Sequence, residues 1–202
     1  MSLSTLHEQL RALRLGHFSQ ALQQQQAQIA TYSDMSFEER LSLLATHELL
    51  CRDNTKVQKL SRQAKLRIDA RASHIDYRAN RGLRKDKIAA LLSGQYLHHN
   101  QNIILTGATG CGKTYLACAL ATQACDQHHS VRYYRLGELL DELNIGRADG
   151  SYRQQLSALA KRKLLILDDW GMEALTARQA NDLLDVMELR YQQSSTIIAS
   201  QI

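Results

Sequence analysis

The sequence predicts an α/β protein, a parallel sheet with helices on both faces, preceded by an all-helical N-terminal region. Three observations carry this expectation. Up to about residue 76, apolar residues recur every three to four positions, the period of one helix face. From residue 102 onward, short apolar runs alternate with helical stretches, the pattern of a parallel sheet. Between the first such run and the helix after it lies a glycine-rich segment, Gly107 to Gly112.

Taken in order, Leu3, Leu6, Leu10 and Leu13 mark one face of a first helix. Gln23 to Gln26 read as an exposed helix face. Ser36-Phe37-Glu38-Glu39 has the form of a capping box and opens a helix through Leu41, Leu44, Ala45 and Leu49. A third helix carries Arg52, Lys56, Lys59 and Arg62 at i, i+4, i+7 and i+10, hence on one side. A short helix spans Arg84 to Leu92. Strands are expected at Asn102–Thr106, Val131–Arg135, Lys163–Asp168 and Thr196–Ser200. Helices are expected from Lys113 to about His128, near Leu136–Leu143 and from Ala177 to Gln192, the last capped by Thr176 and Gln179. Arg190 reads as an exposed cation near that helix's C-terminus. The expected division is a helical region over 1–78 and an α/β core over 79–202.

Composition narrows the class. The chain has 202 residues, 44% of them hydrophobic, enough for a core. No apolar stretch approaches the roughly 20 residues of a membrane span, and the N-terminus lacks a secretory signal, so a cytoplasmic protein without a membrane partner is expected. Its four cysteines, at 51, 111, 118 and 125, form no C-x-x-C pair and are expected to be reduced thiols. Net charge is +5, unevenly placed: residues 52–87 hold twelve Lys or Arg against four Asp. Such asymmetry points to a polyanion, most commonly nucleic acid. The candidate DNA contacts are Arg52, Lys56, Lys59, Arg62, Arg67 and Arg71.

The segment Gly107-Ala108-Thr109-Gly110-Cys111-Gly112-Lys113-Thr114 fits G-x-x-x-x-G-K-[ST], the phosphate loop of nucleotide hydrolases. A buried strand before it and an apolar helix after it supply the setting the motif needs. Glycines let the backbone curl round an anion, and loop N–H groups with the helix N-terminus point at phosphates. Lys113 adds a mobile charge, and Thr114 is placed to ligate Mg²⁺. The nucleotide contacts are expected from residues 107–114 with Tyr115. Oxidation of Cys111, inside the loop, would block binding.

A second motif begins about fifty residues after Thr114. Leu164-Leu165-Ile166-Leu167-Asp168-Asp169 is an apolar strand ending in two carboxylates, which emerge at the edge where ligands of open α/β sheets bind. Asp168 is the second candidate Mg²⁺ ligand. Asp169 is the candidate catalytic residue that orients or deprotonates water, with Lys113 as its catalytic partner at the phosphates. Glutamate is usual at the second position. Aspartate is a methylene shorter, and a displacement of roughly 1 Å can cost about 100-fold in rate, so slow hydrolysis is expected. Trp170 reads as packed structure. At the fourth strand's end, Gln201 or Ser200 could touch the γ-phosphate or the water.

GATGCGKT, LLILDDWG and STIIASQI together resemble the AAA+ ATPases of the IstB/DnaC group. The Asp168-Asp169-Trp170-Gly171 form, the fourth strand, the opening Leu6–Leu15 segment and the Ile75-Asp76-Tyr77…Arg81-Gly82-Leu83 stretch look most like the IstB-type transposition helpers. The resemblance implies a P-loop AAA+ core with strand order 5-1-4-3-2. It also implies ATP-dependent assembly of many subunits on double-stranded DNA, a partner transposase, and a sensor role for Gln201 or Ser200. In AAA+ proteins the arginine finger, fifth strand and lid follow the fourth strand. This sequence stops at Ile202, so all three are expected to be absent, with an unpaired edge at the first strand and weak ATPase activity, since the finger is worth about 10³–10⁵ in rate. The alternatives are a DnaC-like helicase loader and a nucleotide-binding remnant without turnover.

Overall fold

A computed structural model describes residues 3–77 and 83–201. Arg78, Arg81, Gly82, Ile202 and the 78/79 boundary expected from sequence lie outside them. The chain divides into two compact units, Met1–Gln58 and Lys59–Ile202.

The first unit is helical, as expected: α1 (Leu3–Ala12), α2 (Gly16–Ala27), α3 (Ile29–Tyr32) and the start of α4 (Phe37–Ala64). The capping box forms at α4. Glu39 N donates to Ser36 Oγ (3.2 Å) and Ser36 N to Glu39 Oε2 (2.7 Å). Two expectations need correction. The basic run lies on α4 itself, a single helix of 28 residues, because nothing between Leu49 and Arg52 breaks it. The glutamine run is not wholly exposed either: Gln25 is buried, its amide donating to Arg40 O (3.1 Å) and accepting from Arg40 Nε (3.3 Å).

The second unit holds the end of α4, a 3-10 turn at Ala72–His74, α5 (Lys85–Leu92), α6 (Gln95–His98), β1 (Ile103–Thr106), α7 (Lys113–Asp126), β2 (Val131–Arg135), α8 (Leu136–Asp149), α9 (Tyr152–Ala160), β3 (Leu164–Trp170), α10 (Ala177–Arg190) and β4 (Ser195–Ser200). Its four strands are parallel, in the order β1-β4-β3-β2. This is the 1-4-3-2 portion of the order that the resemblance implies. Helices cover both faces. Along β3, Leu164 and Ile166 pack with Ala117, Leu120 and Ala121 of α7 on one face. Leu165 and Leu167 pack with Leu139 and Leu143 of α8 and Val186 of α10 on the other. The period of two places alternate leucines on opposite faces, and burial on both explains the unbroken apolar run.

The Thr176–Gln179 capping box forms at α10. The helix after β2 is longer than expected and continues through Gly146, and α9 follows it. Gly146 is buried there, and a Cβ on it would collide with the Gln155 side chain of α9. The glycine is accommodated within the helix, facing the tip of a side chain that can move aside, rather than ending it. Trp170 packs against the α8–α10 face, as expected. Cys118 and Cys125 are buried free thiols, and burial pushes Cys125 up to about 11.

Arg190 is the clearest correction. It is only 2% exposed. Its guanidinium donates to Leu159 O (2.6 Å), Arg162 O (2.8 Å), Ser195 O (2.5 Å) and Thr196 Oγ1 (3.2 Å). Burial lowers its pKa to about 10. It ties α10 to α9, to the residues after α9 and to β4 by donating to all four acceptors, of which Leu159 O also accepts from Arg162 N (3.2 Å). Arg190→Met should lower unfolding free energy by about 2–4 kcal/mol, since a hydrogen bond to a charged group is worth about 1.5–3. An unchanged urea midpoint would show that the pin is dispensable.

Candidate nucleotide site

Parallel strands bring their C-terminal ends to one edge, and the site is assembled there. The phosphate loop runs from β1 to α7. Gly112, the residue before α7, takes a left-handed φ of 96° that favours glycine. A Cβ on Gly107 would stand 3.0 Å from Cys111 Sγ, so the thiol would have to give way. Lys113 Nζ donates to Gly107 O (2.7 Å) and Ala108 O (2.9 Å), so the ammonium lies along the loop.

The two sequence motifs meet directly. Thr114 Oγ1 donates to Asp168 Oδ2 at 2.7 Å. Asp168 is buried, and its carboxylate also accepts from Tyr133 Oη (2.7 Å) and from Asp169 N (3.0 Å). Burial, and then the bond to Asp168, push the Tyr133 phenol up, so it stays a proton donor to the carboxylate. A hydroxyl and a carboxylate oxygen in contact form a hard oxygen pair suited to Mg²⁺. Among the described residues no group of three or more His, Cys, Asp or Glu could hold a metal. An ion here would therefore depend on oxygens of a nucleotide and water, as Mg²⁺ commonly does.

Asp169 sits differently. The β3–β4 register shifts between Leu167 and Trp170, and within that irregularity Asp169 adopts φ 58°. Its Oδ2 faces two cations, Arg135 Nε at 3.4 Å and Arg67 Nη1 at 3.7 Å. Arg67 is held above its ordinary range by hydrogen bonding to Tyr133, with the charges of Asp169 and Asp168 adding to it.

The remaining candidates divide. Gln201, at the end of β4, is brought to the phosphate loop, where its Oε1 accepts from Thr109 Oγ1 (2.8 Å). The Ser200 hydroxyl donates to Trp170 O (3.0 Å). The Tyr115 hydroxyl donates to Arg71 O (3.2 Å), tying the segment after α4 to the nucleotide-loop helix. Of the candidate DNA contacts, Arg52, Lys56, Lys59 and Arg62 are exposed on α4. Arg52 is paired with Glu48 at 2.5 Å and bonded to Arg14 O. Arg67 and Arg71 lie beyond α4, and Arg67 stands at the acidic strand tip. Sequence reasoning passed over Tyr133 and Arg135. Arg135 ends β2, the strand beside β3, in register with Asp168, and Tyr133 lies two residues before it; the rule that ligands gather at strand C-termini could have flagged Arg135.

The sequence profile of a family described as "IstB-like ATP binding protein" matches residues 8–202. "Insertion sequence IS1162 putative ATP-binding protein" from Pseudomonas fluorescens is 45% identical over 195 residues, covering 96% of this chain and 84% of that one. Among solved structures, DnaI is similar in fold (TM-score 0.56, 22% identity, 72% of this chain and 75% of that chain). So is AMPPCP-bound DnaA from Aquifex aeolicus (TM-score 0.59, 18% identity, 68% of this chain and 43% of that chain). The α/β core thus shares the fold of these two proteins, and the chain belongs to the IstB-like ATP binding protein family.

Proposed function

We propose that this chain is an ATP-binding helper of insertion-sequence DNA transposition. It binds ATP with Mg²⁺, assembles with further copies on double-stranded DNA in the cytoplasm, regulates a partner transposase and hydrolyses ATP slowly. The observation that carries the reading is the 2.7 Å contact between Thr114 and Asp168, which joins the phosphate loop to the acidic strand tip. Family membership and the IS1162 relative support the insertion-sequence setting. Among the described residues no helix is long and apolar enough to cross a membrane.

In this reading, residues 107–112 offer backbone N–H groups to the phosphates, and Lys113 swings from its loop carbonyls onto them. Thr114 and Asp168 would hold Mg²⁺, which supplies charge neutralisation between the phosphate oxygens. Tyr133 fixes the Asp168 carboxylate through its hydroxyl. Asp169 orients water or takes its proton, and Gln201 senses the phosphate from the neighbouring strand tip. The exposed cations of α4 grip DNA phosphates without reading sequence. The functional division remains a DNA- or partner-binding region over 1–78 and an ATP-binding core over 79–202.

Three outcomes are expected. Lys113→Ala should weaken binding of a fluorescent ATP analogue at least about tenfold, and wild-type affinity would refute the phosphate-loop assignment. Asp169→Asn should leave that affinity intact while turnover falls about 100-fold or more, the usual worth of a positioned base; normal turnover would hand the water to another residue. Replacing Lys56, Lys59 and Arg62 with alanine should weaken duplex binding about equally for all sequences and lower the salt slope by about three. A chain that prefers single strands over duplex in ATP would instead be acting as a helicase loader.

A further inference from the structure

A cleft of about 330 Å³ adjoins the acidic tip of β3 on its β2 side, with Tyr133 in its wall. Four cations line it: Lys65 and Arg67 from the segment after α4, and Arg132 and Arg135 from β2. The carboxylates of Glu138 and Glu142 also line it, leaving a cationic surplus. Glu142 is engaged by Tyr134 Oη at 2.8 Å. The cleft does not suit a base. Arg132 covers the Tyr134 ring at 4.6 Å, and the Tyr133 hydroxyl is committed to Asp168. Guanidinium groups with no open aromatic platform suit a phosphate.

Two of these cations do double duty. Arg67 and Arg135 approach the same oxygen of Asp169, at 3.7 and 3.4 Å, and all three side chains are about 40% exposed. Such pairs are weak in water. A phosphate oxygen in the cleft would form shorter, charge-assisted bonds to the same guanidinium groups. Lys59 and Arg62 on the last turns of α4 lead the chain into Lys65 and Arg67, so a polyanion following that row reaches the cleft without a break in charge.

We propose that this cleft seats a backbone phosphate of duplex DNA, and that its occupancy is transmitted to Asp169 by drawing Arg67 and Arg135 away from it. The inference rests on the ATP-dependent DNA-binding function proposed above. It names where DNA meets the hydrolytic centre and how one regulates the other. Lys65 and Arg132 strengthen the seat without touching Asp169. Arg67 and Arg135 are positioning residues for that carboxylate.

The test combines duplex titration, ATP-analogue binding and turnover with and without duplex. Lys65→Ala with Arg132→Ala should lower duplex affinity about tenfold and the salt slope by about two. ATP-analogue affinity and the thermal unfolding midpoint should match the wild type. Lys65→Glu, a change at an exposed position, should lower duplex affinity further. Arg67→Gln with Arg135→Gln should erase the difference in turnover between reactions with and without duplex. Wild-type duplex affinity and salt slope in both Lys65 variants would overturn the seat. A parallel loss of ATP-analogue binding would also overturn it, by assigning the cleft to the nucleotide. Turnover that still responds to duplex in the double glutamine variant would overturn the transmission. A wild-type chain that binds the analogue but no duplex sinks this inference and spares the ATP site, whereas a wild-type chain that binds no analogue sinks the function itself.

Discussion

The hydrogen bond from Thr114 to Asp168 is the contact on which the rest of the site depends. It links residues 54 apart in sequence, one on the first turn of α7 and one at the tip of β3. It can form because both strands run the same way through one sheet, with β4 between them. Four buried apolar residues of β3 hold the strand in register, so Asp168 emerges level with the loop. The bond also fixes the positions of its neighbours. Tyr133 shares the same carboxylate oxygen, and the Asp169 N–H caps the other. A carboxylate this thoroughly hydrogen-bonded has little freedom to rotate, which is the preorganisation that a metal or phosphate site requires.

Much of the fold was legible in the sequence because its signals are local. The phosphate loop, the capping boxes at Ser36 and Thr176, and the apolar run of β3 each announce themselves within a few residues. Their combination gave the parallel sheet with helices on both faces. The parts that escaped depend on distant partners. The helix after β2 runs past its expected end near Leu143, through Gly146, where Gln155 of the next helix packs against it. Arg190 looks like a surface cation until four acceptors from β4, α9 and the residues after α9 converge on it. Gln25 becomes a buried crosslink only when Arg40 is opposite.

The candidate site shows the same division. The motifs located Lys113, Thr114 and Asp168, and the fold brings Thr114 and Asp168 into contact. Sheet order was needed to bring Gln201 to Thr109 and Tyr133 to Asp168. Charge counting treated the cations after Arg52 as one population, yet the chain uses them in two ways. Those on α4 face solvent, whereas Arg67 stands against the acids. Helical periodicity could not separate them, because the helix ends at Ala64 and the period no longer applies beyond it.

The backbone at Asp169 bears on why the shorter acid occupies that position. Its φ of 58° lies in a region costly for most side chains, but one that aspartate enters more readily than glutamate. Lengthening the acid by one methylene would extend its reach while adding torsional strain at the bulge. Reach and torsion are therefore coupled at this residue, and a short acid and a relaxed main chain come as one choice.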